Sequence, residues 1–527
     1  MFLSFLEPGL SALGRLEYPF VIIIFSLLFC FLLYFFLKHL SGIKLGWKDA
    51  FFLVAFIIAF VFLYSAFSFR HEPFFGHDAQ VWTYLNHVDI MRDPEIPFSE
   101  KMILLPFVHP SHPMGYSFVL YLFSLFSGFA RKISLLNPLV FVSAGILLYF
   151  LLKTTKLSRL ASFALLCFIF FNPITLYGSL YSVAEFFSLF LIVALVPVFC
   201  SLEGNRKLFM PKPKRYFLVS LFLLILLAMA YIKFEHGAIF FLIPFVFSYK
   251  FLKKNKAFSA VALSAFFILA APFVYHVLFF NVNRGFSLYY FFMNVSESLL
   301  SYFPSFFIFL GFSVFTAFYV FYFKKWWALL PFFFLILFSS FETSTFVNQK
   351  YFFSYLLFFF FVLLACFFES GSIELIKRKS LIKMAFISLL VFLAGASLFF
   401  GFYAYPSIYG HVSTQKSHGL DFISKAANCS YLESVADIGS ARFTLYNIPF
   451  SDMLSDNLMA FYSDERCIKR FDHTISFEDY RPEAGETLIV FAERADFDVR
   501  DELASLNISF ELVYNESPEF IILRIPG

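Results

Sequence analysis

The sequence predicts a polytopic α-helical membrane protein of about twelve transmembrane helices, with an outer juxtamembrane helix and a small C-terminal α/β domain outside the membrane. Three observations predict it. The 527 residues are 60% hydrophobic and 14% charged, where a soluble domain averages about half apolar and a quarter charged. Apolar runs of membrane-crossing length recur from Tyr18 to Tyr403. Lys and Arg gather in every second connection between those runs.

The runs lie near 18–38, 50–69, 133–152, 159–172, 181–200, 216–232, 237–250, 257–280, 300–322, 326–340, 351–368 and 382–403. The first has no basic segment before it and is longer than the core of a cleaved signal, so it reads as a retained span. The aromatic excess is mostly Phe, with 89 Phe and 28 Tyr against 4 Trp. The net charge of +4 mostly reflects loop basicity and says nothing of nucleic acid, and with no soluble basic, aromatic-interleaved patch no nucleic-acid partner is expected. The surrounding partner is membrane lipid.

Basic clusters at Lys38 to Lys48, Lys153 to Arg159, Arg206 to Arg215, Lys250 to Lys256, Lys324–Lys325 and Lys377 to Lys383 mark the cytoplasmic side. Both termini then lie outside, with the segment from Arg70 to Lys132 and everything after about Tyr405. The run Met114 to Phe129 would invert every later loop if it crossed. It therefore reads as a re-entrant or juxtamembrane helix on the outer face. The expected domains are 1–49, an extra N-terminal helix; 50–404, the main membrane domain with an outer loop at 70–132; and 405–527, an extracytoplasmic α/β domain.

The outer loop holds five of the 11 histidines, His71, His77, His87, His109 and His112, among Glu72, Asp78, Asp89, Asp93, Glu95 and Glu100. Outer loops accept such residues on structural grounds alone, yet Asp78 follows a span and a short linker and should meet both headgroups and water. Farther on, Glu185 opens a span, Lys233, Glu235 and His236 fall at another outer boundary, and Lys350–Tyr351 precede a late span. Lys233 with Glu235 can be a structural ion pair and Lys350 a side chain snorkelling to the interface. Ionisable groups at membrane depth usually face a cavity or a partner, and all of these fall on one side. They point to one extracytoplasmic site.

In that order, Asp78; the stretch His109-Pro110-Ser111-His112-Pro113; Arg131-Lys132 followed by Pro138; Glu185; Ile232-Lys233-Phe234-Glu235-His236-Gly237; and Lys350-Tyr351 resemble the motifs of the GT-C superfamily of membrane glycosyltransferases. That group includes dolichol-phosphate-mannose-dependent mannosyltransferases and bacterial aminoarabinose transferases. The resemblance covers roughly residues 50–370, with His236 inserted before the glycine of one motif and His77-Asp78 where many members have paired acids. It implies transfer of a sugar from a polyprenyl-phosphate donor to a glycan, lipid or protein acceptor in the cell envelope, with inversion at the anomeric carbon. Asp78 would be the general base, with His77 and Glu185 beside it in the catalytic set. Lys233, Glu235, His236, Lys350, Tyr351, His109 and His112 would bind substrate, the lysines neutralising the phosphate leaving group. Metal dependence stays open, since histidines three apart on a loop are a weak metal pattern; no nucleotide cofactor is expected.

Cys30, Cys167, Cys200 and Cys366 fall inside apolar runs, whereas Cys429 and Cys467 lie in the polar tail and can pair if the tail is outside. In that tail, Thr487 to Phe491 reads as a buried strand, Phe497 to Leu506 as an amphipathic helix, and Ile508 to Tyr514 with Glu519 to Ile525 as strands joined by a turn at 515–518. Asn294, Asn428, Asn507 and Asn515 each begin an Asn-x-Ser sequon. The rival readings are a transporter or flippase of lipid-linked glycans, which should show repeated halves and mid-membrane charges, and a non-catalytic glycan-binding membrane protein.

Overall fold

The computed structural model describes residues 12–40, 46–68, 79–108, 113–127, 135–155, 157–180, 184–203, 215–233, 256–281, 310–317, 326–329, 349–368 and 387–400. At the C-terminal end it describes 443–448, 468–473, 487–492, 499–505, 507–517 and 520–526, and isolated positions occur between these stretches. The chain forms two compact units, one from 1–76 with 83–406 and the other chiefly from 407–527.

In the first unit the helices are α1 Glu17–Leu40, α2 Trp47–Ser68, α3 Ala79–Arg92, α4 Phe98–Val108, α5 Gly115–Ser127, α6 Leu136–Thr154, α7 Arg159–Phe170, α8 Pro173–Leu180, α9 Ala184–Glu203, α10 Arg215–Ile232, α11 Lys256–Asn281, α12 Gln349–Phe368 and α13 Ile387–Phe400. Among the described residues, three helices are long and apolar enough to cross a bilayer, over Ala12–Lys38, Trp47–Ser65 and Leu136–Thr154. Shorter apolar helices fall on the other expected spans near 159, 184, 215, 256, 349 and 387. The protein is a polytopic integral membrane protein. The expected span at 237–250 lies outside the described residues.

Burial sorts these helices into a core and a periphery. α1 buries Val21, Ile24, Phe25, Leu28, Leu32 and Phe35 at helical spacing and exposes Ile23, Leu27, Phe29 and Leu33 on the other side, as a lipid-facing helix does. α9 is different: every residue from Leu191 to Cys200 is buried. A helix that is apolar all round belongs at a centre, and α9 packs on α6, α8, α10 and α12. Aromatic rings fill the space beside it. Phe141 of α6 stacks on Phe60 of α2 with ring centres 4.1 Å apart, and Phe56, Phe170, Phe171 and Phe186 surround the pair. Gly145, one turn along α6 from Phe141, lies directly under the Phe56 ring, where a Cβ would collide.

On the expected span at 159–172 the helix α7 ends at Phe170, and beyond Asn172 the chain is helical again through Pro173–Leu180. Asn172 makes the break tolerable. Its side chain donates to the Ile169 carbonyl at 2.6 Å and to Thr175 Oγ1, and accepts the Thr175 amide at 2.9 Å. Asn at the N-cap with Pro in the first turn is a favoured helix start, and within a membrane the freed backbone groups must be satisfied internally.

In the run Met114 to Phe129, expected to stay on the outer face, the described helix is short. α5 has 13 residues, about 20 Å of helix against a core of about 30 Å. The Tyr116 hydroxyl at its start donates to Asn137 Oδ1 at the start of α6, 3.1 Å away, so α5 and α6 start at the same end of the bundle. α5 packs on α1 and α10.

In the second unit a five-stranded sheet has the order β2-β1-β3-β5-β4, from β1 Phe443–Ile448, β2 Ile468–His473, β3 Thr487–Ala492, β4 Glu511–Ser517 and β5 Phe520–Arg524. β2, β1 and β3 run parallel, and β5 is antiparallel to β3 and β4. The helix α14, Val499–Ser505, joins β3 to β4. β3 and α14 fall where the alternation predicts them. The hairpin turn is corrected from 515–518: Asn515 pairs with Ile521 and Ser517 with Phe520, the strand extending through two irregularities. β1 and β2 were not foreseen; their polar faces give no clean period-two signal.

Candidate active site

Side-chain hydrogen bonds sort the helix ends of the membrane unit into two groups. At one end Asp49, at the start of α2, is buried and accepts from Lys153 Nζ (2.8 Å), Arg159 Nε (2.9 Å), the Tyr149 hydroxyl (3.1 Å) and the Gly46 amide (2.9 Å). This joins the start of α2, the end of α6 and the start of α7. Ser158 caps α7 by accepting the Ala161 amide. The loop-charge reading used Lys153 and Arg159 only as topology markers; their common counter-ion on α2 was not foreseen.

At the opposite end lies a buried polar layer. Glu17, at the start of α1, is fully buried and accepts the Met114 amide at 2.8 Å. Gly115 abuts the Tyr231 carbonyl at the end of α10, and the Tyr231 hydroxyl donates to the Leu269 carbonyl of α11 at 2.6 Å. His87 Nδ1 of α3 lies 3.0 Å from Ser117 Oγ of α5. Asn137 accepts from Tyr116 and donates to the Gly178 carbonyl of α8 at 3.2 Å. Tyr84 packs its ring edge-on to Tyr116.

Lys233 belongs to this end. Its amide closes the last turn of α10 on the Met229 carbonyl at 3.1 Å, and the residue is 3% exposed. A lysine at that depth is held where its charge has work to do or a partner to meet. Glu185 is the second residue of α9, whose start follows α8 at the same end; its side chain is outside the described ones. α12 packs beside α8 and α9, with Phe361 against Phe199 at 5.1 Å. Lys350 and Tyr351 lie in its first turn, their side chains again outside the described ones. His77, Asp78, His109, His112, Glu235, His236, Cys429 and Cys467 lie outside the described residues.

On α3 the Asp89 carboxyl is pushed up to about 6 by the chain that crowds it, against the opposing pull of Arg92. Its side chain still reaches solvent, so the shift reflects partial desolvation of the charged form.

Glu17, His87, Tyr116 and Asn137 form this layer without having been predicted as site residues. Glu17 carried one usable signal, an acid immediately before an apolar run. The pairings of Tyr116 with Asn137 and His87 with Ser117 carried none, because they join separate helices.

No family model matches the chain, and no curated protein matches its sequence. Its structure is similar to the crystal structure of ArnT from Cupriavidus metallidurans in the apo state, with a TM-score of 0.51 and 11% identity over 89% of this chain and 97% of that one. The same protein bound to undecaprenyl phosphate aligns with a TM-score of 0.45 and 10% identity over 79% of this chain and 88% of that one. The chain therefore has the fold of ArnT.

Proposed function

We propose that the protein is a membrane glycosyltransferase that transfers a sugar from a polyprenyl-phosphate donor to an acceptor hydroxyl at the Lys233 end of the bundle, on the extracytoplasmic face. The observation that carries this reading is Lys233, buried at the end of α10 beside a layer of hydrogen-bonded polar groups, in a chain of this fold. Lipid-linked phosphate leaving groups need fixed positive charge where the anion develops, and a preorganised, water-poor site makes such charge effective.

In the proposed reaction Asp78 takes the proton of the acceptor hydroxyl. The acceptor oxygen attacks the anomeric carbon from the face opposite the phosphate, the bond from that carbon to the phosphate oxygen breaks, and polyprenyl phosphate leaves. The anomeric configuration inverts. Lys233 and Lys350 neutralise the departing phosphate, and His77, His109, His112, Glu185, Glu235, His236 and Tyr351 complete the donor and acceptor contacts. Loop basicity supports the orientation: Lys153 and Arg159 cluster at the opposite end from Lys233, and basic connections stay cytoplasmic. The domain of 405–527 would lie outside with the site.

The test is sugar transfer by the purified protein in lipid, with a series of polyprenyl-phosphate sugars, comparing wild type with Asp78→Asn. Transfer abolished by Asp78→Asn is the expected result. Full activity in that variant would remove Asp78 as base, and movement of lipid-linked sugar across vesicles without transfer would replace the enzyme with a transporter.

A further inference from the structure

Glu17 lies outside every motif that carries the family resemblance. It opens α1 and is fully buried, and its Oε1 accepts the amide of Met114, 97 positions later in the chain, at 2.8 Å. Met114 directly precedes α5. Its amide is one of those at a helix start that no intrahelical carbonyl can satisfy, and here a carboxylate from another helix satisfies it.

The next residue extends the connection. Gly115 is pressed against the backbone of α10 so closely that a Cβ would fall within 3.0 Å of the Tyr231 carbonyl, with the Ile232 nitrogen bordering the same spot. Lys233 follows one residue later, directly after α10, its amide bonded to the Met229 carbonyl. α1 also packs on α5 and on α10. Three segments that are remote in sequence thus meet at one joint, and that joint borders the buried lysine.

A carboxylate is expensive to bury. Its retention here fits a joint whose position matters to the site beyond it. We propose that Glu17 is a positioning residue: through Met114 and Gly115 it sets where the end of α10 stands, and so where Lys233 meets the phosphate of the donor. The inference rests on the glycosyltransferase reading. It differs from that reading in what it requires, namely that a residue of the first helix, touching no substrate, controls the geometry of Lys233.

The experiment uses the full chain in lipid nanodiscs and two independent readouts, sugar transfer and the rate at which acetic anhydride acylates Lys233, followed by mass spectrometry. Glu17→Ala removes the acceptor, Glu17→Gln keeps an acceptor oxygen without the charge, and Gly115→Ala forces the same joint apart while leaving Glu17 in place. Glu17→Ala and Gly115→Ala are expected to lower transfer by about ten- to a hundred-fold, the scale of a misplacement near 1 Å, and to raise Lys233 acylation. Glu17→Gln is expected to restore both. Should Glu17→Ala not fold, Gly115→Ala carries the comparison. Unchanged Lys233 acylation in a variant that loses transfer would overturn the proposal, and so would wild-type transfer in a variant whose Lys233 has become reactive. If wild type transfers no sugar from any donor, the glycosyltransferase reading fails and takes the reactive role with it. The acylation rates then still decide separately whether Glu17 holds the joint.

Discussion

Asp49 accepts a hydrogen bond from Lys153 at 2.8 Å although 104 positions separate them, and the same carboxylate oxygen takes Arg159 at 2.9 Å. One acid on α2 therefore neutralises two bases that flank the turn between α6 and α7. The arrangement holds three helix ends in register at the end of the bundle opposite Lys233.

Removing that acid should destabilise the protein. Breaking a buried ion pair by deleting one partner costs about 3–5 kcal/mol, and the partial exposure of Lys153 and Arg159 lowers the expectation for Asp49→Ala to about 2–3 kcal/mol. Lys153→Met should cost less, because Arg159, Tyr149 and the Gly46 amide still satisfy the carboxylate. Thermal unfolding in detergent, comparing the two variants, checks the order.

Gly145→Ala places a methyl group against the Phe56 ring. Overpacking of this kind costs about 1–3 kcal/mol. Phe56→Leu in the same chain should recover part of the loss, giving a favourable coupling in a double-mutant cycle. Additive losses would show that α6 shifts as a whole and the ring is not the obstacle.

Lys233→Met should reduce transfer by about a hundred- to a thousand-fold, the range found when one preorganised donor to a developing anion is removed. Turnover measured at saturating donor is the appropriate readout; a variant with wild-type turnover would take Lys233 out of the site.

Asp89 gives a pH dependence whose sign follows from its environment. Its carboxyl is raised from 3.8 to about 6 in the folded protein, so the folded state holds a proton there that the unfolded chain has released. Stability should fall as pH rises through this window and stay level above it. Asp89→Asn should accordingly be more stable than wild type at neutral pH, with the difference vanishing below about pH 4. Unfolding midpoints of both proteins across that range measure it.

In the C-terminal unit two substitutions should separate core from rim. Ile522 is fully buried on β5, between β3 and β4, and Ile522→Ala should cost about 2–5 kcal/mol. Glu511 faces Arg524 across the hairpin at 3.7 Å with both side chains largely exposed, and Glu511→Ala should cost less than about 1 kcal/mol. Hydrogen exchange of the β4–β5 amides in the full chain reads both.

The helices of the membrane unit were legible because a span must be apolar along its whole length, whatever it packs against. α1, α2, α6 and α10 accordingly begin and end within a few residues of their apolar runs. The helix that resumes after Asn172 was not legible in the apolar run near 159–172; the capping bonds to Ile169 and Thr175 show it. In the C-terminal unit the apolar strand β3 was legible, whereas β1 and β2 owe their place to pairing with it. Pairing is a property of two segments and leaves little mark on either.

By itself, then, the sequence determined that this protein lives in a bilayer and roughly where its chain crosses. Those follow from transfer free energies, which each segment carries locally. Tertiary structure alone decided that α9 lies at the centre, that Asp49 answers Lys153 and Arg159, and that Glu17 and Gly115 meet at the end of α10 beside Lys233. These are contacts between helices far apart in the chain, set by packing and by the need to satisfy buried polar groups.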